Sequence, residues 1–201
     1  MKIGKSITII ALLFFSTLVF CQRSIAPQKS RLVLKDGTEL DGYLRSIPTN
    51  VDTLIMFSEK SRGKQKSYGV SRIKYLNVQD GDLSGIWFPL HINNEIGEVG
   101  QVWRDPCLLQ LMYKGKNVSG YLGFDYWHGW RCYYKPFNQW YAKAFYPFKK
   151  MNKHRKQLLL QEFDKYPKLT KMIETGEISD KDISENPFVL LKELDELLIS
   201  N

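Results

Sequence analysis

The chain has 201 residues, a formal net charge of +8, 43% hydrophobic and 13% aromatic residues, and three cysteines. That length holds one sizeable core or two small ones. No H-E-x-x-H, G-x-S-x-G or phosphate-binding glycine loop occurs, so the enzyme classes those motifs mark have no support.

The start, "MKIGKSITIIALLFFSTLVFCQ", has Lys2 and Lys5 before an uncharged, largely apolar run from Ser6 to Phe20. This layout predicts a secretory signal peptide over residues 1–21. The apolar run is shorter than the ~20 residues of a spanning helix, and polar sequence follows at once. Export to the periplasm, the cell surface or the medium is expected, with cleavage near Cys21–Gln22. The alternative is a lipoprotein anchored through Cys21, the one route by which membrane contact is expected. Its attachment box normally has a small residue before the cysteine, and Phe20 stands there.

Residues 22–30, "QRSIAPQKS", read as a flexible lead-in. Residues 31–78 read as a small β-module. "RLVLKDGTELDGYLRSI" is a hairpin whose Asp36-Gly37 supplies turn conformations, with Leu32, Leu34, Leu40 and Tyr43 alternating beside it. "DTLIMFSEK" is a third strand, and "SYGVSRIKYLNV" a strand, a one-turn bend at Val70–Arg72 and a last strand. Five short strands with this punctuation predict an SH3-like or Sm-like barrel.

"QDGDLSG" (79–85) reads as a boundary. Residues 86–148 are expected to form an antiparallel β-meander after an irregular entry with a short strand near Val99–Trp103. "CLLQLMYKGKNVSGYLGFD" and "WRCYYKPFNQWYAKAFYPF" are each strand, turn, strand. In the latter, Trp130, Cys132 and Tyr134 share one face, and Arg131 and Tyr133 the other. Trp140, Ala142, Ala144 and Tyr146 are likewise grouped against Tyr141, Lys143 and Phe145. Trp140 is expected in the core, because Ala142 and Ala144 suit close packing against a helix. Trp127, in "DYWHGW", is expected to be exposed on a loop. If Cys107 and Cys132 lie on the first and third strands, the strand between them forbids a disulfide, so both are expected as buried thiols.

Residues 149–201 take a helical period and are expected to pack on the meander. Met151, Leu158, Leu159 and Phe163 mark one buried stripe. Pro167 opens and Gly176 closes a second helix. Asn186 and Pro187 introduce a third, with Phe188, Leu191, Leu194 and Leu198 inward. The fold class is thus α+β. From Thr170 onward acids outnumber lysines eight to three, so the basic excess lies earlier in the chain. In an exported protein, such a face suits anionic polysaccharide, lipid head groups or an acidic protein.

The stretches "LLQLMYKGKNVSGYLGF" and "QEFDKYPKLTKMIETGEISDKDI", with "LKDGTELDGYL" and "YGVSRIKYL" nearer the start, resemble a group of uncharacterised exported proteins of Bacteroidota. The resemblance implies an N-terminal β-module, a strand pair around a "GK" turn and a C-terminal helix with F-x-x-x-P-x-L. Members often carry a cysteine before that proline. Tyr166 stands there in this chain, so no role of that cysteine transfers. The resemblance implies location and architecture and no activity.

For chemistry, Asp125, His128 and Cys132 are a weak metal set, and Cys107 with His128 a weak nucleophile–base pair lacking an orienting group. No metal or cofactor is expected. The function expected first is a non-enzymatic interaction module at the cell envelope, its partner a protein or a polysaccharide and not nucleic acid. The alternative is carbohydrate binding through an aromatic surface that includes Trp127, Trp130 and Trp140, and an enzyme is the third class. The candidate ligand-binding residues are Trp127, His128, Trp130, Arg131 and Tyr133.

Overall fold

The computed structural model describes residues 24–95, 101–127, 129–146 and 150–199. The expected signal peptide and Cys21 lie outside the described residues. Among the described residues, ten strands form one sheet in the order β10-β9-β8-β7-β6-β5-β1-β2-β3-β4, and four helices follow, so the fold is α+β.

The first half has β1 (Ser24–Leu34), β2 (Glu39–Ser46), β3 (Leu54–Ser58), β4 (Lys66–Gly69), a 3-10 turn over Val70–Arg72, and β5 (Ile73–Val78). The β1–β2 hairpin turns where Gly37 adopts φ 90°, and Leu32 registers with Leu40. The alternation places Leu44, rather than Tyr43, in the buried cluster with Leu32, Leu34, Ile55, Phe57 and Leu76. The flexible lead-in is corrected: residues 24–30 belong to β1. There Gln28, Lys29 and Ser30 pair with Leu44, Tyr43 and Gly42, and Ser30 also registers with Val78 of β5.

The expected boundary at residues 79–85 is a turn inside the sheet. β6 (Gly85–Asn93) folds back on β5, with Leu76 opposite Trp87. The buried Trp87 indole donates to the Leu83 carbonyl at 3.0 Å and joins the N-terminal core cluster. The "irregular" entry is therefore a nine-residue strand. Of the short strand expected near Val99–Trp103, residues 101–103 are not strand and residues 96–100 lie outside the described residues.

The meander follows as expected: β7 (Cys107–Lys114), β8 (Val118–Asp125), β9 (Gly129–Pro136) and β10 (Tyr141–Tyr146). A parallel pairing of β10 with β6 then closes β6–β10 into a ring of hydrogen-bonded strands, with Tyr141 opposite His91 and Lys143 opposite Asn93. Side-chain alternation divides each strand between the ring's inside and outside. Ile92, Cys107, Leu109, Tyr121, Tyr133, Ala142 and Ala144 fill the inside.

Two register irregularities adjust the faces. One, between Leu111 and Tyr113, sets Tyr113 opposite Gly120 on the outer face and returns Lys114 to the inner one opposite Ser119. The other, between Ala144 and Tyr146, moves Tyr146 out of the alanine row. Tyr146 instead joins Phe145 in the cluster under the helices, correcting the face expected for it. Each shift inserts one unpaired residue and flips the alternation beyond it.

The helices cover the outer face of β8–β10. They are α1 (Lys153–Glu162), α2 (Pro167–Thr175), α3 (Asp180–Glu185) and α4 (Val189–Ile199). Asn152 caps α1 by accepting from the Arg155 N–H, and Pro167 opens α2, which ends at Gly176 in the left-handed region. Ser179 and Asp182 form a capping box on α3, a helix the hydrophobic pattern is too short to announce. Leu159, Phe163, Leu169, Ile173, Leu191 and Leu194 meet Cys132, Tyr134 and Phe145 in one buried cluster. At Gly120, an added Cβ would stand 2.6 Å from Leu191 and 2.7 Å from Phe188, so the missing side chain lets α4 approach β8.

Two buried carboxylates fasten this layer. Glu162 of α1 accepts from Tyr134 at 2.8 Å and pairs with Lys143 at 2.8 Å. Asp195 of α4 accepts the backbone N–H groups of Lys116 (2.8 Å), Asn117 (2.6 Å) and Val118 (3.2 Å) from the β7–β8 turn. Burial alone would raise its pKa, but these donors outweigh burial and hold it below the usual carboxylate value. Among the described residues, no helix is long and apolar enough to cross a membrane.

Candidate functional site

One end of the ring is closed by a buried polar knot centred on Asp125, the last residue of β8 and 1% exposed. A buried carboxylate must be paired and hydrogen-bonded to remain charged. Asp125 accepts from Asn50 Nδ2 at 2.8 Å and Asn94 Nδ2 at 2.7 Å, and Arg131 Nε lies 3.7 Å away. Its other oxygen accepts the backbone N–H of Trp127 at 2.9 Å, an Asx turn that starts the β8–β9 connection. The amides relay the contacts. Asn50 Oδ1 accepts from the Tyr126 N–H at 3.1 Å, and Asn94 Oδ1 accepts from the Tyr133 hydroxyl at 2.6 Å. Arg131 donates to the Asn94 carbonyl at 2.6 Å. The β2–β3 connection, the end of β6, the tip of β8 and strand β9 are thus tied at one point.

Above the knot, Tyr126 and Trp127 are 59% and 76% exposed, with ring centroids 5.0 Å apart at an interplanar angle of 83°. Val51 is exposed on the adjoining β2–β3 connection. Beside it, a cleft of about 490 Å³ runs between Asn50–Thr53 and the 101–106 segment, with Asp52, Glu95, Arg104 and Asp105 on its walls. The result is a protruding, largely apolar tip on a fixed base, flanked by charge of both signs.

The structure separates the residues expected to act together. Trp127 is exposed, as the loop reading requires. Trp130 is half-buried on the outer face, edge-on to Phe124 at 5.3 Å, and walls a second cleft of about 490 Å³ with Gln28 and Gln110. Arg131 and Tyr133 are corrected as surface ligand residues. Tyr133 is fully buried inside the ring, and Arg131 turns inward to Asp125 and Asn94. The alternation that groups Arg131 with Tyr133 is right, but their shared face is the ring's inside. His128 lies outside the described residues.

Trp140 is corrected as well. It precedes β10 instead of lying in it, is 63% exposed, and meets His91 edge-on at 5.1 Å. Trp127 and Trp140 therefore stand in the turns at opposite ends of β9, and Trp130 lies on the outer face, so the three form no continuous row.

The two described members of the weak metal set are not brought together, and the Cys107–His128 pair involves a residue outside the described ones. Asp125 faces into the ring, whereas Cys132 packs under the helices. Among the described residues, no group of three or more His, Cys, Asp or Glu side chains is placed to hold a metal ion. Cys107 and Cys132 are both free and buried, on strands separated by β8 as the strand order requires. Burial pushes the Cys107 thiol up to about 12, which removes the thiolate a nucleophile needs.

Asn50 and Asn94 are the site residues that sequence reasoning does not find. Both sit in polar stretches with no periodic signal, and only the fold brings them to Asp125. The Asp-x-aromatic spacing of Asp125 and Trp127 is the one local sign of the turn. No protein-family model, curated protein or solved structure matches this chain.

Proposed function

We propose that the protein is an exported, non-enzymatic interaction module of the cell envelope that engages a protein partner through the Tyr126–Trp127 tip. The observation that carries this reading is the contrast between Trp127, 76% exposed, and Asp125 directly beneath it, 1% exposed and fully engaged. Leaving a large aromatic in water is unfavourable, and such residues on fixed loops are typical anchors at interfaces. The knot orders the backbone in advance, which lowers the entropy lost on binding. The near-perpendicular rings offer an edge and a wedge instead of a flat stacking platform, which favours a partner's pocket over a sugar face.

The signal-peptide layout of residues 1–21 and the resemblance to exported Bacteroidota proteins support the envelope location. The order β5-β1-β2-β3-β4, with a 3-10 turn between β4 and β5, supports reading residues 31–78 as an SH3-like or Sm-like module within the larger sheet.

The test compares the mature protein with Trp127→Ala. Photo-crosslinking from position 51, beside the tip, in envelopes of the native host should give a discrete protein adduct. Trp127→Ala should abolish it without changing the melting temperature. An adduct that persists in the variant sinks the assignment of the tip.

A further inference from the structure

The opposite, open end of the β6–β10 ring has a different chemistry. The registers place Lys114 of β7, Ser119 of β8 and Lys135 of β9 side by side in one row, on the face that carries Tyr121 one step deeper. The irregularity after Leu111 is what turns Lys114 to this face. Lys35, from the β1–β2 turn, and Lys74, from β5, close the other side of a cavity of about 380 Å³. Its floor is apolar, with Phe88, Leu90, Leu111 and the ring of Tyr121.

Four lysines and no Asp or Glu line this cavity. Other lysines, such as Lys66, Lys143, Lys156 and Lys192, stand in ion pairs. The nearest acid in sequence, Asp36, is directed to its own turn, accepting the Thr38 N–H at 2.9 Å. Like charges held around a concave, low-dielectric floor repel one another and focus a positive potential into the cavity. An anion seated there relieves that repulsion.

We infer that this mouth is a binding site for an anionic sugar, with Lys35, Lys74, Lys114 and Lys135 pairing its acidic groups and the Phe88–Leu111–Tyr121 floor taking an apolar C–H face. The concavity argues against a bilayer surface, which makes contact with convex or flat patches. The floor argues against a bare inorganic anion, which has no apolar face to bury. The cavity lies in the ~300–1,000 Å³ range of small-molecule sites and suits the end of a short oligosaccharide. The Ser119 hydroxyl, in the lysine row, is placed to set orientation. This site is independent of the Tyr126–Trp127 tip.

Calorimetric titration of the mature protein tests the inference, with trigalacturonate and glucose 1-phosphate as anionic probes and maltotriose and inorganic phosphate as controls. At least one anionic sugar should bind, more weakly as salt rises, and both controls should bind at least about tenfold more weakly. The double variant Lys114→Ala/Lys135→Ala should lose about tenfold or more in affinity at an unchanged melting temperature. Lys181→Ala/Lys192→Ala, which removes the same charge from exposed helix positions, should bind like wild type. Failure of both anionic sugars to bind, equal loss in the two double variants, or phosphate binding as tight as the sugars overturns the inference. So does binding to phosphatidylglycerol vesicles that needs the same lysines while neither sugar binds.

Discussion

Trp87 is fully buried, whereas Trp127 and Trp140 are 76% and 63% exposed, and these environments should dominate their mutational behaviour. Trp87→Ala removes a core ring and its hydrogen bond to Leu83, and should cost about 3–5 kcal/mol in urea unfolding. Trp127→Ala and Trp140→Ala should each stay within about 0.5 kcal/mol of wild type, as surface changes do. Trp140 is the residue at which sequence reasoning fails most clearly. Its spacing from Ala142 and Ala144 matches a strand face, but β10 begins one residue later, at Tyr141, and the turn carries Trp140 outward. Asp125 makes the opposite case, a charged residue that is buried. Asp125→Ala would strand Arg131, Asn50 and Asn94 without their acceptor, and should cost about 3–5 kcal/mol. Faster hydrogen exchange at Tyr126 and Trp127 should accompany it. Unchanged exchange there would show that the knot does not hold the tip.

Helix α4 is held by an apolar stripe and one carboxylate. Asp195→Ala should cost on the order of 1.5–3 kcal/mol, the range of a charge-assisted hydrogen bond, measured by chemical denaturation. Its pH dependence has a definite sign. The folded-state pKa lies below the unfolded value, so the stabilisation is complete above the unfolded carboxylate range and is lost as pH falls through the lowered folded pKa. The wild-type advantage over Asp195→Asn should therefore shrink from pH 6 towards pH 3, within the usual acid range of carboxylates. An advantage that stays constant over that span would remove Asp195 as the source. The stripe itself is legible in the sequence, since Phe188, Leu191 and Leu194 recur at helical spacing and are buried. The docking partner is not, because three backbone N–H groups of a turn leave no residue-type signal.

At the scale of the whole molecule, the parallel contact of β10 with β6 turns a meander into a ring, and the ring places Cys107 inside and Cys132 outside under the helices. Native protein at pH 8 should resist alkylation at both thiols and unfolded, unreduced protein should be labelled at both, as mass spectrometry would show. A disulfide found in the mature protein would contradict the strand order. The amino-acid sequence by itself determined most strands after Ser30, three of the four described helices, the free thiols, the exposed Trp127 and the basic excess of the first part of the chain. Those features depend on local alternation, helical period, turn residues and charge counts, all of which act over a few neighbouring residues. Only the tertiary structure decided that residues 24–30 join β1, that β5 continues into β6 as one sheet, that β10 closes on β6, and that Asn50 and Asn94 meet Asp125. These are pairings of backbone groups and short polar side chains across up to 75 residues, as between Asn50 and Asp125. Backbone N–H and C=O groups are the same in every residue but proline, so hydrophobic pattern does not reveal which distant segment will satisfy them.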